Sequence, residues 1–241
     1  VNEDRMELLP PGTALAWGHT ATPRRGPKPA YSVEQIVEAA VAQADAEGFE
    51  ALSMPAIAKR LGITANALYR YLRSKEELLV LAAEAGWGLP PEPLTGDWRT
   101  AVTTWAHALL ERCRLHPWLL EVPVRGGPTT PNLLRWLEVF LEAMADSGLS
   151  DRDALGCATL VDGWARSTAA LLRDIRASAS DEQPAALNEF LQPRLRERGY
   201  PRVAAVLGGD YGEDGMQDTD VEFGLDRILD GIEALVAQRR A

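Results

Sequence analysis

The chain has 241 residues, 46% of them hydrophobic, with two cysteines, three histidines and a net charge of −10. Its length suits a large helical domain with a small one attached, and abundant Ala and Leu without sustained two-residue alternation favour an all-α fold. No apolar run approaches the roughly 18–20 residues of a membrane span, the first residues lack the charged-then-apolar order of a secretory signal, and Cys113 and Cys157 have no paired spacing for a disulfide framework or a zinc site. The expectation is a cytoplasmic protein with no cofactor, no metal and no membrane partner.

In chain order, residues 1–23 hold Pro10, Pro11, Gly12, Gly18 and Pro23 with no helical period, and are expected to be a mostly disordered extension. Arg24, Arg25 and Lys28 follow in a proline-bounded basic arm, kept extended by Pro27 and Pro29. Ser32 opens a helix, with Gln35 placed for a capping box. Its expected buried stripe is Ile36, Ala40, Val41 and Ala44, and Gly48 ends it. Ser53 caps a second helix, Pro55 occupies an early position where no N–H is needed, and Ile57, Ala58 and Leu61 form its apolar face. Gly62 makes the turn. Thr64 caps a third helix that buries Leu68 and Leu72 and presents Ala65, Asn66, Tyr69 and Arg70. A small residue, a turn glycine and a buried leucine spaced four and then six apart are the helix-turn-helix pattern, because the helices cross closely only where the contact residue is small. Ser74, with Glu77 three residues on, opens the next helix, which reaches about Trp87.

The run from Leu68 to Leu78, L-Y-R-Y-L-R-S-K-E-E-L, resembles the signature of the tetracycline-repressor (TetR) family of bacterial transcription regulators, over about Ser32 to Leu81. The resemblance implies a three-helix DNA-binding domain (24–78) followed by a larger helical regulatory domain (79–241) that binds a small-molecule effector and dimerises. It implies that Ala65, Asn66, Ala67, Tyr69, Arg70 and Tyr71 meet double-stranded DNA. Arg70 can fork onto guanine and Asn66 can read adenine or a phosphate. Thr64, Tyr69, Tyr71 and Lys75 suit phosphate or sugar, Ser53 and Met54 the flanking backbone, and Arg24, Arg25 and Lys28 a neighbouring groove. The charge is distributed accordingly: residues 24–80 carry +1 and all three lysines, residues 81–241 carry −9 and residues 1–23 carry −2. An acidic body leaves one end able to approach a polyanion. The bland alternative is solvated surface charge.

Past a proline-rich break at 88–96, helices are expected at about 97–115, 131–147, 151–176, 183–198 and 219–237, with a bent piece through His116 and Pro117 and an acidic loop at 208–218. Five of the seven tryptophans lie between Trp98 and Trp164. Trp105, His107, Trp118, Trp136, Phe140, Met144, Asp162, Trp164 and Arg166 offer an aromatic lining with a few polar fixtures, suited to a largely apolar effector; each taken alone reads first as plain core. Ala154, Ala158, Ala165 and Ala169 form a small-residue stripe, and Val221, Leu225, Ile228, Ile232 and Leu235 a near-heptad seam. In the family the corresponding helices pair across a homodimer; the alternative is that both seams face the protomer's own core.

For catalysis the chain offers no G-x-S-x-G, P-loop or H-E-x-x-H pattern. The run Asp210 to Gly215 lacks an acidic third position and has Val221 at its twelfth, which rules out a calcium loop. A ligand-released repressor with a palindromic operator is expected. A regulator without an effector, its large domain serving dimerisation or a protein partner, is the alternative.

Overall fold

The computed structural model describes residues 8–19, 30–124, 126–178, 183–208 and 218–240. Among these every regular element is helical: α1 (Thr13–Ala16), α2 (Val33–Glu47), α3 (Met54–Arg60), α4 (Ala65–Leu68), α5 (Lys75–Trp87), α6 (Trp98–Leu115), α7 (Pro131–Met144), α8 (Asp151–Ser178), α9 (Gln183–Glu197), α10 (Pro201–Leu207) and α11 (Asp218–Arg240). The chain divides into two compact units, residues 1–166 and 167–241. None of the helices described is long and apolar enough to cross a membrane.

In the first unit, side-chain caps fix where the helices begin. Ser32 and Gln35 form the expected reciprocal pair, at 3.2 and 2.9 Å. Ser53, Thr64 and Ser74 each accept an N–H from three residues on, and Asp97 does the same for α6 at 2.8 Å. Glu77, three residues on from Ser74, does not close a capping box: its carboxylate takes the N–H of Arg73 at 2.6 Å, not that of Ser74. The buried face of α2 is Ile36, Val37, Ala40 and Ala44, so Val37 stands inside where Val41 was expected.

The structure departs from the sequence expectation at the N-terminus and at the recognition segment. Residues 8–19 of the expected disordered extension fold back as a turn of helix, with Gly12 and Thr13 buried against the first unit. A period of 3.6 needs more than one turn to show, so a four-residue helix left no pattern to read. The recognition segment is also short: α4 is four residues, and Tyr69 to Tyr71 continue as turns, with Arg70 N–H bonded to Ala67 O and Tyr71 N–H to Leu68 O. The basic arm residues Arg24, Arg25 and Lys28, and most of the acidic loop, lie outside the described residues.

In the second unit, α10 was not expected, since a seven-residue helix behind Gly199 reads as loop. Gln192 of α9 donates to Ala204 O at 2.9 Å and ties the two together. Along α11 the buried positions are Val221, Leu225, Leu229, Ile232 and Val236.

Candidate nucleic-acid interface and its regulatory junction

The helix-turn-helix is closed by Leu52, Ile57, Leu68 and Leu72, all fully buried, with Ala58 at the crossing. Gly62 has φ +68° and its N–H bonds Lys59 O, while Ile63 N–H reaches Ala58 O. That turn sets α4 on the surface. Asn66 and Arg70 are exposed, Tyr69 is 50% exposed, Ala65, Ala67 and Tyr71 are half-buried, and Thr64 and Lys75 are exposed at the flanks. Among the described residues the side chains of Asn66, Arg70 and Lys75 have no hydrogen-bond or ion-pair partner. Three polar groups held out on α4 and just beyond it, and uncommitted to the fold, are free for a polyanion.

Met54 does not belong with them. It is 3% exposed, turned into the core at the first position of α3, so its side chain cannot approach a DNA backbone. Ser53 is committed to its cap on Ala56.

Tyr31 belongs to the site's framework and was missed. Its hydroxyl donates to Leu61 O at 2.5 Å, and Tyr71 Oη accepts the Tyr31 N–H at 3.4 Å. It thus braces the helix-turn-helix turn and the end of the recognition segment from the start of α2. The available signal was an aromatic residue directly before an N-cap, the position of a hydrophobic staple.

Helix α5 carries this assembly into the regulatory helices, and its C-terminal end is closely gripped. A Cβ on Gly86 would stand 3.0 Å from the Trp118 ring and from Leu119 Cδ2. Arg112 of α6 donates to Gly86 O, and Asn132 of α7 bonds Glu84 twice, at 2.6 and 2.9 Å. Trp118 also reaches the DNA-binding helices directly: its indole N–H donates to Asp45 of α2 at 2.7 Å, on the same carboxylate oxygen that His116 Nδ1 meets at 2.7 Å. An acidic side chain near a helix C-terminus opposes the dipole, and that position of Asp45 was the legible hint of a partner.

The expected effector residues come together only in part. Trp105 stacks edge-on against Trp136 and Phe140, at 5.6 and 5.1 Å between centroids. The indole N–H groups of Trp105 and Trp136 donate to Trp136 O and Gly88 O. With the bond from Trp118 to Asp45, three of the expected lining tryptophans have their indole N–H engaged inside the fold. Met144 is fully buried. Arg166 pairs with Asp162 at 2.8 Å and lies over the Trp87 ring at 4.3 Å, which brings both to the end of α5. Next to them burial pushes the Cys113 thiol up to about 11. His107 and Trp164 are half-buried on α6 and α8.

Most of the residues expected at a dimer interface are buried within the single chain. Ala154, Ala158, Ala165 and Ala169 are buried, as are Val221, Leu225 and Ile232; Ile228 and Leu235 are half-buried. The exposed faces carry Leu155, Leu160, Leu171 and Ile175 on α8, where Gly156 and Gly163 are open to approach, and Phe223 on α11.

Comparison with known proteins agrees with this architecture. The sequence model for bacterial regulatory proteins of the tetR family matches residues 36–82, and that for the tetracyclin repressor-like C-terminal domain matches residues 90–236. The chain is 34% identical over 238 residues to the HTH-type transcriptional repressor DrrR1 of Streptomyces coeruleorubidus, covering 94% of this chain and 86% of that protein. It is 29% identical over 188 residues to an HTH-type transcriptional regulator of Saccharopolyspora erythraea, covering 77% and 79%. Apo ActR of Streptomyces coelicolor superposes with a TM-score of 0.73 at 24% identity, covering 88% of this chain and 99% of ActR. ActR in complex with actinorhodin gives 0.70 at 26% identity, covering 85% and 96%. With both halves of the chain matched, the helix-turn-helix and the helices that follow it identify this protein as a member of the TetR family of bacterial transcription regulators.

Proposed function

We propose that the protein is a homodimeric repressor that binds a palindromic operator and is released from it by a largely apolar organic effector, acting in the cytoplasm without enzymatic turnover. The observation that carries this reading is the uncommitted face of Asn66, Tyr69 and Arg70 on a capped helix-turn-helix. Arg70 reads guanine O6/N7, Asn66 an adenine or phosphate, and Tyr69, Tyr71, Thr64 and Lys75 hold the backbone. Arg24, Arg25 and Lys28 add neighbouring contacts. One short segment reads too few base pairs alone; two, on a symmetric pair, meet half-sites roughly 34–36 Å apart. The second copy is met through exposed apolar positions of α8, Leu160 among them, where glycines permit close approach.

Release is a population shift. An effector that prefers the arrangement in which α5 is displaced draws the recognition segments off operator spacing, by no more than its preference between the two states. The junction supplies the route, since Trp118 touches Gly86 of α5 and bonds Asp45 of α2. ActR, which holds actinorhodin, supports an organic effector here. The alternative, a regulator without an effector, is favoured by one observation: the indole N–H groups of Trp105, Trp118 and Trp136 are all engaged within the protein.

Footprinting on DNA flanking the gene, then release of the complex in a compound panel that includes actinorhodin, tests the reading. Two protected half-sites about one helical turn apart, cleared by a compound, are expected. A footprint that no compound clears, with no thermal shift across the panel, supports the effector-free alternative; absence of any footprint at low salt sinks both.

A further inference from the structure

We propose that residues 8–19 are a strap that holds α5 against the segment leading into α7 and thereby limits how far the DNA-binding helices can move. The anchor on α5 is Gly12. Its φ is +78°, and an added Cβ would stand 3.0 Å from Val80 Cβ and Cγ1 and 3.3 Å from Glu77 O, so both conformation and space demand glycine. Thr13 follows, buried, and one helical turn carries the chain to the second anchor. There the Trp17 indole N–H donates to Thr129 O at 2.9 Å, across 112 residues of sequence. Three residues on, Asn132 makes its paired bonds to Glu84 of the same α5. The strap therefore grips α5 at Glu77–Val80 and the α7 approach at Thr129. Glu77 is also the residue whose carboxylate holds the Arg73 N–H at the end of the recognition segment.

The closure is balanced rather than permanent. A four-residue helix cannot sustain itself, so α1 exists only while docked. Close to it, Thr13 Oγ1, Thr130 Oγ1 and Glu84 Oε2 are buried with no hydrogen-bond partner among the described residues. Each favours the opened form, in which water satisfies it. A strap held by a glycine contact and an indole bond, and opposed by polar groups at the same junction, is poised to open when α5 shifts. Docked, it narrows the positions available to the helix-turn-helix before DNA arrives, so less freedom is lost on binding.

Full-length Trp17→Phe removes one hydrogen bond and keeps the ring; full-length Gly12→Val removes the anchor. Amide exchange of residues 75–83 and 126–130 is compared with that of 36–44, together with affinity for a duplex that the wild-type chain selects from a random library. Exchange in the first two stretches is expected to quicken about three-fold or more in both variants, with 36–44 unchanged and affinity down roughly three- to ten-fold. Wild-type exchange at 75–83 in both variants overturns the strap. So does equal quickening at 36–44, which marks a contact of the general fold, and so does faster exchange at unchanged affinity. The affinity arm rests on the DNA-binding reading; a wild-type chain that selects no duplex sinks that reading, and exchange alone then decides the strap.

Discussion

The recognition segment and the tryptophan cluster are both rich in groups able to meet a partner, yet the fold treats them in opposite ways. Around α4 the cap and the turn are satisfied locally, and Asn66 on it, Arg70 just beyond it and Lys75 at the start of α5 are left uncommitted among the described residues. Among the tryptophans, Trp105 and Trp136 in the cluster and Trp118 at the junction each give their N–H to the protein itself, two of them to backbone carbonyls. Residue type alone therefore separates a site poorly. What distinguishes the two regions is whether intramolecular bonding leaves the polar group free.

Substitutions that remove apolar volume sharpen the contrast most strongly. Phe140→Ala, in a fully buried ring stacked against Trp105, is expected to destabilise the protein by about 3–5 kcal/mol in chemical denaturation. A loss under about 1 kcal/mol would mean the cluster encloses open space rather than core. At the junction, Asp45→Ala strips the Trp118 N–H of its acceptor and should cost about 1–3 kcal/mol. If Asp45 couples the two parts, this variant also changes operator affinity, whereas a purely local role leaves binding by the folded protein as in wild type. Ser74→Ala removes the cap of α5 and should lower stability by about 1 kcal/mol, read from the denaturation midpoint.

The effect that vanishes at neutral pH is that of Cys113. Burial raises the Cys113 thiol from 9.0 to about 11, so between these values the unfolded chain has lost a proton that the folded one keeps. Stability therefore falls as pH rises through that window, and Cys113→Ala flattens the slope by up to about one proton near pH 10. An identical slope in the variant would show that the thiol is not enclosed as described.

Legibility in the sequence followed the range of the interactions. Caps act over three residues, so Ser32, Ser53, Thr64 and Ser74 could all be placed from local pattern, and with them the helix-turn-helix and its exposed face. The brace from Tyr31 to Leu61, the bond from Trp118 to Asp45 and the tie from Trp17 to Thr129 join residues 30, 73 and 112 apart, which no local period encodes. Apolar stripes on α8 and α11 showed that each helix has a packing face, but not which neighbour it meets. An inward alanine stripe and an intermolecular one share the same spacing, and only burial within the chain tells them apart.

The most direct measurement is a titration of wild type and Arg70→Ala with the footprinted duplex and with unrelated DNA, at several salt concentrations. The substitution should weaken operator binding by about 1–3 kcal/mol and relax preference at one base pair, with much smaller loss on unrelated DNA and an unchanged melting temperature. Equal affinity of the two proteins for the operator, or an equal loss on both DNAs, would contradict the assignment of this face as the reader of sequence.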